Sequence, residues 1–125
     1  MKRSERGFSL LEMMVVVGIV SVLASVAIPS LIRNASASKR AEAYAALGTI
    51  ARMQDGFFQD RGFYAATFSE LGFMMDRGRA KGINAWVGRH YTFALTTFFG
   101  GTNYAAVAVG NIDGDTFQDL LYVSR

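Results

Sequence analysis

From Phe8 to Ile28 the chain is apolar on every side. This run of 21 residues carries one charge, Glu12, and is closed by Pro29. It lacks the polar stripe of a surface helix, so it predicts a helix immersed in lipid or in the packed interior of an assembly. At about 1.5 Å per residue the run reaches roughly 31 Å, enough for the hydrocarbon core of a bilayer. After Pro29 the pattern becomes amphipathic. Leu31, Ile32, Tyr44, Leu47, Ile50 and Ala51 interleave with Arg33, Lys39, Arg40, Glu42 and Arg52. That spacing predicts a continuation of the same helix to Gln54 or Phe58, with Asp55-Gly56 as its end signal. The whole helix would measure about 70–75 Å, and Pro29 predicts a kink because it lacks one helical donor.

The remaining chain reads as a small domain. Asp60 to Asn84 is punctuated by glycine and basic residues and predicts an irregular connector. Within it, Phe68-Ser69-Glu70-Leu71-Gly72-Phe73 predicts a short helical turn with Gly72 near its C-cap. Tyr91 to Phe99 alternates as a strand does, Gly100-Gly101 supplies a turn, and Tyr104–Val109 and Leu120–Val123 follow as further strands. The expected fold is α+β: one long N-terminal helix with an antiparallel three-stranded sheet packed on its C-terminal half. Phe57, Phe58, Phe63, Tyr64, Phe68 and Phe73 are read as core, not as an electron-conducting stack.

Composition changes the picture in two places. The formal charge of +3 resides mostly ahead of the apolar run, where Lys2, Arg3 and Arg6 outnumber Glu5 by two. A basic segment in that position favours a cytoplasmic N-terminus, so the charge says little about nucleic acid. The chain contains no cysteine, which excludes disulfides, thiolate metal sites and cysteine nucleophiles. A cleaved signal peptide, with Ser25-Val26-Ala27 as its small-residue site, or a plain membrane anchor would satisfy the hydropathy. Neither accounts for Glu12, since a carboxylate at mid-membrane costs about 2.5–3.5 kcal/mol on insertion scales. Glu12 needs a partner.

The segment Gly7-Phe8-Ser9-Leu10-Leu11-Glu12, with its short basic leader, following apolar run and Pro29, resembles the prepilin peptidase site of type IV pilins and type II secretion pseudopilins. The resemblance implies three segments: a cleaved leader at 1–7, an apolar transmembrane and assembly helix at 8–29, and the amphipathic continuation with its globular head at 30–125. It implies cleavage between Gly7 and Phe8, N-methylation of Phe8, and pairing of Glu12 with the new terminal amine of a neighbouring subunit. The implied partners are identical subunits in a helical homopolymer, prepilin peptidase, the inner membrane and the pilus assembly machinery. The precursor would sit in the inner membrane with its head in the periplasm, and then pass to an extracellular pilus for adhesion, twitching motility or DNA uptake. A pseudopilin of a type II secretion system and a membrane-anchored periplasmic binding module are the alternatives. Many members of the family have glycine where this chain has Ser21, and its helix glycine is Gly18 instead.

One local motif carries separate chemistry. Asn111, Asp113, Asp115 and Asp119, with the carbonyl of Phe117, have the alternating oxygen spacing of a calcium loop. The spacing resembles the hairpin calcium loops of integrin-type repeats. The competing reading is a solvated Asp-Gly turn, and in either case the role is structural. Arg77, Arg79, Lys81 and Arg89, with Trp86 and His90, form a basic stretch that could meet DNA phosphates or the acidic surfaces of adjacent subunits. His90 is the single histidine, and no nucleophile elbow or phosphate loop accompanies it. The chain is expected to be a substrate of processing, not an enzyme. Asn34-Ala35-Ser36 matches a glycosylation sequon.

Overall fold

The computed structural model describes residues 8–76, 78–112, 114, 116 and 118–125. Its first element, α1, is a helix over Leu10–Arg61 that passes through Pro29 and through the Asp55-Gly56 pair. An isolated helix glycine costs only about 1 kcal/mol, and Met53, Gln54 and Phe57 pack into the domain around Gly56. The end therefore falls later than the expected Gln54 or Phe58. It comes at Gly62, whose φ of 79° takes the left-handed conformation while its N–H donates to the Phe58 carbonyl at 2.8 Å. This is the single-bond glycine cap of a helix C-terminus.

The chain divides into two compact units, Met1–Ala35 and Ser36–Arg125. The described part of the first is helical almost throughout, with its large apolar side chains exposed. The second holds the core. There α1 contributes Ala43, Ala46, Leu47, Ile50 and Gln54, a stripe at helical spacing. Tyr44, expected on this stripe, is 58% exposed. Small residues carry the contact instead: Ala43 and Ala46 on the helix and Ala106 and Ala108 on the sheet are all buried.

The short helix α2, Phe68–Leu71, forms where the sequence predicts it. Thr67 accepts from the Glu70 N–H at 3.1 Å and the Glu70 carboxylate accepts from the Ala66 N–H at 3.0 Å. These bonds satisfy donors that a helix start leaves open. Gly72, with φ 67°, closes the other end.

The sheet has five strands, not three: β1 Arg79–Ala80, β2 Ala85–Val87, β3 Thr92–Phe98, β4 Asn103–Gly110 and β5 Asp119–Ser124. They lie in chain order and every neighbouring pair is antiparallel. The three longer strands match the expected ones. The first two fall in or beside the predicted connector, and strands of two and three residues are too short to show an alternating pattern. Phe93 and Leu95 from β3 and Tyr104, Ala106 and Ala108 from β4 point into the core, where Tyr64, Phe68 and Phe73 join them. The aromatic contacts include two separate runs, Phe58–Tyr64–Tyr104 and Phe68–Phe73–Trp86.

Candidate processing and assembly site

Phe8 stands just ahead of α1, and the first helical bond runs from the Met13 N–H to the Ser9 carbonyl at 3.1 Å. Glu12 therefore occupies the first turn of α1. There the unpaired N–H groups and the helix dipole favour a negative side chain. The sequence Ser9-Leu10-Leu11-Glu12 thus places one carboxylate a single helical turn from Phe8. Gly7 and the rest of the basic leader lie outside the described residues.

Downstream of Glu12 the helix presents only apolar and small side chains up to Pro29, and it is long and apolar enough to cross a membrane. Phe8 is 70% exposed and Leu10 80%, and no residue in the most apolar stretch is buried. The two serines downstream of Glu12 are satisfied from within. Ser21 Oγ donates to the Val17 carbonyl and Ser25 Oγ to the Val22 carbonyl, both at 2.7 Å. Such back-bonding lets a hydroxyl sit in an apolar medium without water. Glu12 is the single charged side chain in this stretch. A Cβ added at Gly18 would meet nothing within 4 Å, so within one chain this glycine serves no close approach.

The Asp-rich segment is described only in part. Asp113, Asp115 and Phe117 lie outside the described residues. Of the other two candidate calcium ligands, Asn111 accepts from the Gly114 N–H at 2.8 Å, and Gly114 has φ 78°. Asp119 opens β5, and one carboxylate oxygen is held by Arg40 Nε at 3.1 Å and Nη2 at 2.8 Å. Lys39 Nζ donates to the Ile112 carbonyl at 2.9 Å. Two cations of α1 thus tie both ends of the segment to the helix, a pairing the sequence reading missed. Among the described residues no group of three metal-capable side chains comes together.

The described part of the basic stretch falls on and just beyond the β1–β2 hairpin, where Arg79 is opposite Val87. Arg79 lies on β1 and Trp86 on β2, Lys81 and Arg89 are exposed, and Arg77 lies outside the described residues. The Trp86 ring meets Phe73 edge-on at 6.0 Å and belongs to the margin of the core.

A second residue missed by sequence reading is Gln54, which is fully buried. Its Nε2 donates to the Ala65 carbonyl at 2.8 Å and its Oε1 accepts from the Ala65 N–H at 2.9 Å. The side chain acts as a strand-like partner for one backbone residue and fixes the chain leaving α1 against that helix.

The described chain thus combines a first-turn carboxylate on a long apolar helix with a five-stranded antiparallel sheet. Residues 2–28 match the prokaryotic N-terminal methylation motif. Over 77 residues the chain is 39% identical to the type IV major pilin protein PilA of Myxococcus xanthus (strain DK1622), covering 62% of this chain and 35% of that protein. It is 34% identical over 77 residues to the type II secretion system core protein G of Dickeya chrysanthemi, covering 62% of this chain and 50% of the relative. Over 103 residues it is 27% identical to the fimbrial protein EcpC of Eikenella corrodens, covering 82% and 61%. The chain thus carries the N-terminal methylation motif and is similar to a type IV major pilin and to a type II secretion core protein. It spans from about a third to about three-fifths of the length of these relatives.

Proposed function

We propose that this chain is a structural subunit of a type IV pilus, built by packing of its N-terminal helix against those of identical subunits. The observation that carries this reading is the pairing of an apolar helix exposed all round with one first-turn carboxylate, Glu12. Cleavage after Gly7 by prepilin peptidase creates a terminal amine on Phe8 with a reference pKa near 8. That amine, methylated, meets Glu12 of the neighbouring subunit. In an apolar interior a lone buried charge costs about 3–5 kcal/mol, so the pair selects the axial register, while the Val, Leu, Ile and Met side chains supply most of the association energy. Before assembly the same helix holds the precursor in the inner membrane, with the head in the periplasm. The extended filament then serves adhesion, twitching motility or DNA uptake. The processing residues are Gly7 and Phe8, and the assembly residues Glu12 and Pro29.

The likeness to a type II secretion core protein supports a second reading, a pseudopilin whose filament stays in the periplasm. Shearing separates the two, because a pilus subunit is recovered in the surface filament fraction and a periplasmic pseudopilin is not. The pairing role is tested by Glu12→Ala. This variant should insert and be processed as the parent is, yet give little or no filament. A normal yield of filaments from it would refute the proposed role of Glu12.

A further inference from the structure

Every described cation that α1 and the C-terminal end bring to Ser36–Arg125 has a partner in the fold. Arg40 holds Asp119, Arg125 holds Asp55 and Lys39 donates to the Ile112 carbonyl. Arg52 donates to Thr49 Oγ1, and the Arg61 guanidinium lies over the Phe57 ring. Arg79, Lys81 and Arg89 differ. Among the described residues they meet no carboxylate and donate no side-chain hydrogen bond. All three are exposed, and all lie on the β1–β2 hairpin or in the turn after it. Residues 77–90 contain no carboxylate, and the acid next along the chain is Asp76.

The same hairpin exposes aliphatic side chains. The Lys81 N–H donates to the Ala85 carbonyl at 2.8 Å, which closes the loop Gly82-Ile83-Asn84, and Gly82 takes φ 78° there. Polar and small residues dominate such turns, yet Ile83 is 74% exposed at this one. The Leu95 N–H donates to the Asn84 carbonyl at 3.0 Å, so the loop is anchored to β3. Met74, between α2 and β1, is 84% exposed. Ile83 and Met74 border a hollow of about 480 Å³ whose other walls include Phe68, Phe73, Ala80 and Trp86. Arg79 and Lys81 flank Ala80 along the chain and alternate to the other face of the hairpin. The cations therefore stand beside the apolar opening without filling it.

We propose that the β1–β2 hairpin docks on the surface of a bilayer that contains anionic phospholipid. Ile83 and Met74 enter the boundary between headgroups and acyl chains, the hollow admits part of an acyl chain, and Arg79, Lys81 and Arg89 meet lipid phosphates. Charge and apolar surface together select this partner. Nucleic acid offers phosphates, but it would leave two aliphatic side chains and an apolar hollow uncovered. An uncharged apolar partner would leave three cations without counter-charge. An anionic bilayer supplies both components in the order in which the hairpin presents them. The electrostatic part acts only within a Debye length, so the contact weakens as salt rises. The contact belongs to Ser36–Arg125, and it depends neither on Glu12 nor on the polymer proposed above.

The absence of native cysteine makes the test direct. The full chain with Ile83→Cys, carrying an environment-sensitive fluorophore, is reconstituted in phosphatidylcholine vesicles with or without phosphatidylglycerol. With the anionic lipid the emission should shift to the blue, and a spin-labelled lipid should quench it several-fold more than in neutral vesicles. High salt should reverse both changes. The same label on Thr96→Cys, an exposed position on β3, should respond little. Adding Arg79→Glu and Lys81→Glu to the labelled chain should abolish the response and leave the near-ultraviolet circular dichroism unchanged, since both side chains are exposed and unpaired. The single change Lys81→Gln should reduce the response in part. The proposal is overturned if the label at position 83 responds no more than that at 96, or equally in neutral and anionic vesicles, or if charge reversal leaves its response intact. A response to duplex DNA with none to phosphatidylglycerol would assign the cations to nucleic acid and overturn it as well.

Discussion

Replacing Gln54 with methionine removes two hydrogen bonds while keeping the side-chain volume. Both partners, the N–H and C=O of Ala65, are on a residue with 0% exposure, and Gln54 itself is equally inaccessible. Orphaning a buried backbone group costs about 1–3 kcal/mol, so the two together should cost about 2–5 kcal/mol. The unit affected is Ser36–Arg125, and for a domain of about 60–100 residues each kcal/mol moves the melting temperature by about 4–8 °C. The expected fall is therefore roughly 8–40 °C. The assay is thermal unfolding of the full chain in detergent, followed by the near-ultraviolet circular dichroism of the head aromatics, because the apolar helix dominates the far-ultraviolet signal. Gln59→Met, at an exposed position on the same helix, is the control and should move the midpoint little. If Gln54→Met melts within about 3 °C of the parent, the two bonds do not secure the chain after α1, and the reasoning from orphaned backbone groups fails here.

Two glycines should respond in opposite directions to alanine. A Cβ on Gly110 would collide with the backbone carbonyl of His90 and lie 2.9 Å from Cδ1 of the buried Tyr91. Gly110→Ala should therefore lose about 1–3 kcal/mol in denaturant unfolding. Gly56, inside α1 with nothing within 4 Å of such a Cβ, should gain up to about 1 kcal/mol as alanine. A third expectation concerns alkaline pH. Burial raises the hydroxyl pKa of Tyr104, with Asp55 adding to the rise, and burial likewise raises that of Tyr91. Both groups ionise in the unfolded chain near pH 10 but only later in the folded one. The stabilisation they retain at lower pH is lost as pH rises through the folded values. Tyrosinate absorbance should accordingly show a late component that coincides with loss of the near-ultraviolet signal. Ionisation of all tyrosines before any unfolding would contradict the burial argument.

The helix was legible because its cause is local. Twenty-one residues with one charge allow few structures, and Glu12 stood out because nothing in its own segment neutralises it. β3, β4 and β5 were legible from alternation, and Gly72 from its position after a short apolar turn. The features that escaped depend on distant chain returning to a particular place. Gln54 reads as an ordinary helix glutamine until Ala65 is brought beside it. Asp119 reads as part of an oxygen-rich loop, yet its partner Arg40 lies 79 residues away. Tyr44 fitted the apolar stripe by spacing, but the narrow contact between α1 and the sheet selects the flanking alanines.

The intact mass of the mature chain tests the central claim most directly. The account predicts loss of Met1 through Gly7 and the addition of one methyl group at Phe8. A chain that still begins at Met1, or one that begins at Ile28, would leave Glu12 without the neighbouring amine on which the assembly rests.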